Sequence, residues 1–548
     1  MNARNWRILA LLLAVLLLTG LLAVGCTPAQ EEETPGEEEQ QQEQAGEEVS
    51  EPELETLRFV LDTESFRELE AQAIAQQLRD LGIDVQVKVW EWSALKAKIK
   101  EGERLAYLTD WGSAFFDPFD LGVPKLRTGD RGNYSFYSNP EFDELMVTAI
   151  TTTDEDARRD AYFKAQEILK EDAPWVFGYY MKAVEASSVD VQNWEPSMDS
   201  RINLHDVSLA SGDTIVVGMA TDSILSLDPA SSYRDRETET VIRNMFDGLV
   251  TRTHDGKVVP ELAESWDISE DGLTYTFKLR DGVYFHNGDQ LDADDVVFTF
   301  EKILGLGAFA DTEGTSRAGL IRPSGVELTV EKVDEMTVRF TFSKPFPVFL
   351  QGLVHQQIVP RDYYLEVGEE GFGKAPVGTG PFKFVSGKLD DQIVLERFDD
   401  YYGGSPDLPP VGPAPIKRAI FKMVPEPATR IAGLKAGELG IVQAIPPDLI
   451  ASLEADENIV VKYVEGTRNY ALELNNAKPP FDDIRVRKAL NYAINWELIL
   501  DEIYGGLATR LATAFLPSGF GYNPDVEPYP YDPERAKELL KEAGYATK

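Results

Sequence analysis

Along most of the chain, short runs of alternating apolar and polar residues take turns with longer stretches whose apolar positions recur every three or four residues. The first pattern puts successive side chains on opposite faces of a strand; the second gathers them on one side of a helix. Residues 57–61 read as a strand. Residues 66–81 read as a helix, with Leu69, Ala73, Ile74 and Leu78 near a 3.6 period and Gly82 at its stop. Residues 84–90 alternate cleanly and predict a second strand. Residues 154–169 form a helix whose acidic start and late Lys170 suit the macrodipole. A strand is expected over 213–219 and a helix over 237–249. Residues 273–279 and 283–285 read as a hairpin about Arg280-Asp281-Gly282. Further helices are expected over 292–303, with Asp294 and Asp295 in the first turn, over 486–503 and over 533–543. Strands alternating with helices predict an α/β architecture.

Composition changes this picture mainly at the N-terminus. Arg4 and Arg7 precede an apolar run from Ile8 to Val24, then Gly25 and Cys26. A short basic region, an apolar region and a small-residue cleavage site make residues 1–25 a secretory signal outside the fold. Cys26 is the only cysteine. Ala23-Val24-Gly25-Cys26 resembles a bacterial lipobox, with Ala23 where Leu is usual, which implies cleavage before Cys26 and acylation of it. Two or three acyl chains anchor firmly, because each buried CH₂ contributes ~0.8 kcal/mol. Residues 26–56 hold twelve Glu and almost nothing apolar, so they are expected to be a disordered tether. Removing the leader's two Arg and the tether's twelve Glu from a net charge of −41 leaves −31 for the body. Such a body does not offer nucleic acid the basic surface it requires.

Several motif matches fail on context. Gly368, Gly373 and Lys374 echo a phosphate loop, but Ala375 replaces the Ser or Thr that would hold magnesium. Residues 305–310 match a dinucleotide fingerprint as a string, yet follow a helix where a strand is needed. The four histidines, His205, His254, His286 and His355, share no helix-face spacing, so no metal cluster is expected. No Gly-x-Ser-x-Gly elbow appears. The reading is therefore a non-enzyme without cofactor or metal.

A long series of segments carries a resemblance. It comprises Ala263-Glu264-Ser265-Trp266, residues 271–280, 282–288 and 291–298, and Val377-Gly378-Thr379-Gly380-Pro381-Phe382. It continues with Leu434-Lys435-Ala436-Gly437-Glu438 and residues 480–490, where Arg485 and Arg487 are expected to anchor a helix start through ion pairs. The series resembles the family 5 extracellular solute-binding proteins, the peptide and nickel class that serves ABC importers. The resemblance implies a two-lobe, periplasmic-binding-protein type II-like α/β fold with a hinge. It also implies capture of a peptide or similar polar solute, delivery to ABC permease subunits, and a monomer lipid-anchored outside the plasma membrane or in the periplasm. A ligand-sensing lipoprotein reporting to a receptor is the alternative.

The order of segments differs from the family's. There the part like 213–545 comes first, followed by a part that here lies upstream, at 57–209. The chain therefore reads as circularly permuted. Lobe II is expected to combine 57–192 with 468–548, and lobe I to span 193–467, with an extra subdomain at about 256–375. Relatives carry, at the place of Ala114, an Asp that pairs with a peptide's ammonium group. Asp110 or Asp117 substitutes for it, or the ligand lacks that group. Trp111, Trp92 and Tyr179 or Tyr180 match cleft positions, and residues 233–238, with Tyr233, Arg234 and Glu237, resemble the facing loop of lobe I. Core or hinge packing is the alternative role for these rings.

Cys26→Ala is expected to move the protein to the soluble fraction or stall its processing without altering the isolated body; firm membrane association of a correctly cleaved variant would contradict the anchor.

Overall fold

A computed structural model describes residues 54–548 apart from Ala114, Ser200, Arg234, His254 and Asp255. The leader, Cys26 and nearly all of the tether lie outside the described residues, as do Ala114 and Arg234. Residues 54–548 form one compact unit. At the edge of the tether, Glu55 departs from the expectation of disorder. It lies parallel to Tyr545, its N–H bonding the Gly544 carbonyl at 3.2 Å and its carbonyl accepting from Ala546 N at 2.7 Å.

One sheet of eleven strands runs through the described residues. In chain order they are β1 (Arg58–Glu64), β2 (Asp84–Trp90), β3 (Ala106–Gly112), β4 (Trp175–Ser188), β5 (Thr214–Met219), β6 (Phe382–Gly387), β7 (Gln392–Arg397), β8 (Arg418–Met423), β9 (Ile441–Val442), β10 (Ile459–Leu474) and β11 (Ala508–Arg510). Their order across the sheet is β6-β7-β8-β5-β9-β4-β10-β3-β1-β2, with β11 against β4. Strands β1, β2 and β3 are parallel neighbours, as are β8, β5 and β9.

These two parallel groups are joined by the antiparallel pair β4–β10. The first residues of β4, from Trp175 to Tyr180, face the C-terminal half of β10 beside β3. Its last residues, from Lys182 to Ser188, face the N-terminal half of β10, beside β9. The register breaks between Glu465 and Asn469, as at a bulge, which leaves residues unpaired and bends the strand. Glycine is required there: a Cβ on Gly466 would lie 2.1 Å from the Met181 carbonyl oxygen.

Sequence-distant pieces close one core around the β1–β3 group. Leu57, Phe59, Ile74 and Leu78 pack with Leu472, Phe481, Val486, Trp496 and Leu540. A larger core lies under the rest, and a four-stranded antiparallel sheet flanks it. Fully burying such a side chain contributes ~1.5–3 kcal/mol.

Most predicted elements appear within a few residues of their expected bounds, β2 without any shift. Three differ. The predicted hairpin does not form: Thr274–Leu279 is a strand, but pairs with Ala263–Ile268 and Thr337–Phe342. The helix expected over 237–249 ends at Arg243, where Asn244 turns its amide to the carbonyls of Ile202 and Thr240. The helix expected over 486–503 is two, Ile484–Ala493 and Trp496–Tyr504, because Asn495 caps the second by accepting from Leu498 N at 3.1 Å. Within this region Arg485 pairs with Asp483 as expected. Arg487 instead donates to the carbonyls of Phe481, Asp482, Asp172 and Ala173.

Glu185, in the C-terminal half of β4, is 1% exposed and its Oε2 has no hydrogen-bond partner among the described residues. Burial, reinforced by the charge of Asp199, pushes its carboxyl from 4.5 up to about 8. A carboxyl raised in the folded state adds stability that is complete below its unfolded value and is lost as pH climbs through the folded one. Denaturant titrations between pH 5 and 9 are therefore expected to show Glu185→Gln gaining on the natural protein as pH rises, by a few kcal/mol at ~1.4 kcal/mol per pH unit; parallel profiles would contradict this.

A candidate ligand-binding seam

Ligand sites of open α/β sheets form beyond the C-terminal ends of parallel strands. Here those ends carry Glu64 on β1, Trp90 on β2 and Asp110, Trp111 and Gly112 on β3. The break in β10 brings Thr467 and Arg468 alongside: Arg468 pairs across the ladder with Gly112, and its guanidinium forms an ion pair with Asp110. Ser113 N–H bonds the Thr467 carbonyl at 2.7 Å.

The helix Arg236–Arg243 meets this corner with its first turn. Asp235 caps it, accepting from Thr238 N at 2.7 Å, and Arg236 Nη2 donates to Thr467 Oγ1 at 3.0 Å. Gly112 makes room for both guanidinium groups, because a Cβ there would lie 3.0 Å from Arg236 Nη2 and 3.4 Å from Arg468 Nη2. Burial and the like charge of Arg468 push Arg236 down to about 10. Burial alone would lower Arg468 too, but Asp110 foremost, with Tyr470 and Glu237 adding, holds it above its ordinary value. Glu64 shares the corner: burial, then the charge of Asp110, raises its carboxyl, which Arg67 partly offsets.

Trp111 is half-buried beside this group, with Lys125 Nζ 5.3 Å and Arg131 Cζ 5.5 Å from its ring centroid. Lys125 is itself buried. Its ammonium lies 5.2 Å from the Tyr134 ring and 5.5 Å from the Trp175 ring, and pairs with buried Glu473. An open cavity of about 490 Å³ adjoins, lined by Lys100, Asp130, Arg131, Tyr134, Phe136 and Tyr137 among others. Across the seam, the Arg252 guanidinium lies 4.5 Å from the ring of Phe116, a residue held at φ 55°. Non-glycine residues in that left-handed region are strained and cluster at functional sites.

The seam thus gathers Asp110, Trp111 and Glu237 of the expected residues, around Arg468. Tyr180 lies next to it, paired with Asn469 across β4–β10. Tyr179 is fully buried; its hydroxyl contacts Glu70 and Tyr504, and its ring stacks on Tyr470 at 5.0 Å. Trp92 sits apart, packed with Leu95, Ile99, Tyr107, Trp90 and Tyr134. Tyr233 is buried under Arg317, 4.3 Å from its ring centroid. Asp117 is committed elsewhere: its carboxylate accepts from Arg158 Nη2 and Tyr162 Oη, each at 2.6 Å, and from Phe119 N at 3.0 Å. The expectations did not include Glu64, Thr467 or Arg468, and covered Arg236 only as part of the loop 233–238. The available signal was Gly466, a glycine inside a strand pattern at the expected lobe boundary, which marks a bulge or close backbone approach.

Comparison with known proteins agrees with this architecture. The family model for bacterial extracellular solute-binding proteins, family 5 Middle, matches residues 31–133 and 257–548. The dipeptide-binding protein of Escherichia coli (strain K12) is 36% identical over 310 residues, 53% of this chain and 55% of that protein. Heme-binding protein A of Haemophilus influenzae is 35% identical over 309 residues, 53% of this chain and 54% of that protein. The chain thus spans just over half the length of these curated relatives. Among solved structures, the periplasmic binding protein DppA from Helicobacter pylori in complex with peptide STSA superposes with a TM-score of 0.51 at 31% identity, covering 61% of this chain and 66% of that one. HbpA2 from Haemophilus parasuis gives 0.51 at 32%, covering 61% and 67%. Both the mixed α/β layout and these neighbours are those of the two-lobe binding-protein fold. No helix among the described residues is long and apolar enough to cross a membrane.

The two aspartates flanking Ala114 should separate by stability. Asp117→Ala leaves Arg158 buried without its counter-ion, which typically costs ~3–5 kcal/mol. Asp110→Ala breaks a pair whose arginine side chain is 40% exposed, where the loss is expected to stay below ~1 kcal/mol. Equal losses in chemical denaturation would contradict the assignment.

Proposed function

The chain belongs to family 5 of the bacterial extracellular solute-binding proteins, and we propose that it captures a peptide or similarly sized polar solute at this seam and presents it to an ABC permease. Its relatives are solute-binding proteins rather than enzymes. The observation that carries the reading is the convergence of Asp110, Trp111, Arg236 and Arg468 where the strand ends meet the Arg236–Arg243 helix. In this reading the ligand bridges the end of β3 and the Arg236–Arg243 helix and shifts any open–closed balance by its differential affinity. Asp117 is engaged by Arg158 and Tyr162. Asp110, with Glu64 beside it, is therefore the carboxylate this reading gives to a ligand cation in place of Ala114. The solute is proposed to be a peptide because relatives are named for dipeptides and a similar structure holds the peptide STSA. The leader and Cys26 support anchoring in the cell envelope.

We also propose that the family's two halves are exchanged along this chain, with lobe II built from 57–192 and 468–548 and lobe I from 193–467. Support comes from the core that joins residues 57–108 to 472–540, and from the bonded neighbours Glu55 and Tyr545. A rearranged chain running 212–548 and then 56–209 is expected to fold as a monomer with unchanged ligand affinity; insolubility, or an obligate exchanged dimer of the natural chain, would overturn the order proposed.

Native mass spectrometry of the purified protein, followed by calorimetry with the co-purified solute or a di- to tetrapeptide series, tests the function. Trp111→Ala is expected to weaken binding by more than ~1 kcal/mol with little change in the melting temperature of the ligand-free protein. Unchanged affinity would return Trp111 to the core, and a natural protein that binds no solute of these classes would sink the reading.

A further inference from the structure

Outside the seam, buried Arg317 has neither an ion pair nor a hydrogen bond among the described residues. Arg317, on the short 3-10 helix Ser316–Leu320, is 1% exposed, and neither its Nε nor its Nη2 has a hydrogen-bond partner among the described residues. In Arg67 and Arg104 this same edge of the guanidinium grips a carboxylate. Arg67 donates from Nε and Nη2 to the two oxygens of Glu70 at 2.7 and 2.6 Å. Arg104 does so to Asp62 at 2.6 and 2.8 Å. In Arg317 the corresponding edge is buried and has no hydrogen-bond acceptor among the described residues.

Tyr233 supplies the second unmet group. Its ring lies under the guanidinium, 4.3 Å from centroid to Cζ, and its buried hydroxyl likewise lacks a partner. The acids whose charge reaches Tyr233 are engaged elsewhere. Asp228 accepts from Tyr364 Oη at 2.6 Å and from Ala230 N at 2.8 Å. Glu239 holds Arg201 at 2.5 Å and His355 at 2.7 Å. Burying an ionised group without a partner is expensive, and a planar fork of N–H donors matches an oxyanion. Tyr233 is also two residues ahead of Asp235, the cap of the helix whose first turn reaches Thr467.

We infer that Arg317 and Tyr233 form an oxyanion-binding subsite, in which a carboxylate or phosphate group sits on the Nε–Nη2 edge and accepts from the tyrosine hydroxyl. Assigning that anion to the acidic end of the captured solute rests on the function proposed above; the subsite itself does not.

The test uses simple anions, so it is independent of the solute. Thermal unfolding of the full chain is followed in rising sodium acetate or sodium phosphate, against sodium chloride at matched ionic strength. An anion that binds only the folded state raises the melting temperature with a saturable concentration dependence. The natural protein is expected to show it, Arg317→Lys to need at least about tenfold more anion, as loss of a bidentate charge-assisted contact implies, and Arg317→Met to lose it. Tyr233→Phe is expected to need several-fold more, and with Arg317→Lys it carries the test should Arg317→Met fail to fold. A saturable response to acetate alone marks a carboxylate site, and one to phosphate a tetrahedral-anion site. No saturable response in the natural protein, or the same midpoint concentration in Arg317→Lys, overturns the subsite. If the anion response vanishes in the Arg317 variants while peptide affinity stays intact, the subsite stands and its assignment to the solute falls.

Discussion

The rest of the molecule depends on one pair of strands. β4 and β10 are antiparallel neighbours along their whole length, yet their two ends belong to different surroundings: β3 at one end, β5 and β9 at the other. Backbone hydrogen bonds hold each end in a fixed register, because a one-residue slip would turn every side chain to the wrong face. The mismatch between the two registers is absorbed at Glu465–Asn469, where the Met181 carbonyl approaches too closely for any residue but Gly466, and at a second shift between Tyr470 and Ala471, where Gly178 meets the Tyr470 carbonyl. Thr467 and Arg468 are delivered to the seam as a by-product of the first irregularity. The site is therefore a consequence of how two parallel groups of strands are spliced, more than of any single motif.

Charge then decides how the splice is used. Two guanidinium groups converge on Gly112; burial first, and then the charge of Arg468, lowers Arg236, while Asp110 offsets the burial of Arg468. Glu64 and Asp110 oppose one another in the same corner. Other carboxylates and cations are held by several partners at once. Asp117 is surrounded by donors, and the Lys125–Glu473 pair is roofed by three aromatic rings. The contrast separates groups committed to the fold from those of the candidate seam.

Much of this was legible in the chain. Alternation located β2 without error and β1 and β5 within a few residues, since both faces of a strand are visible in a period of two. The pairing of Thr274–Leu279 was not legible, because its partners lie before and well after it in the chain, and periodicity carries no information about partners. Asn244 ends one helix and Asn495 starts another through side-chain hydrogen bonds to the backbone, a choice settled only by what stands nearby. In the site, Asp110 and Trp111 were identified from resemblance. Arg468 was not, and Arg236 only as part of the loop 233–238, because each acquires meaning only when residues 231 or more positions apart meet. Asp117 looked equivalent to Asp110 until its neighbours were known.

The isolation of Arg317 has a kinetic side. The body around it carries −31 by sequence, so an approaching anion meets a repelling field at long range and an attractive guanidinium only at contact. Added salt screens the first over a Debye length of ~10 Å at 0.1 M, and reaches a buried group far less. Arrival and retention of an acidic solute therefore respond to ionic strength separately: encounter quickens as salt rises, while escape from the buried contact changes little. A protein built this way gains affinity for anions in brine over dilute media, the reverse of what a basic surface would give.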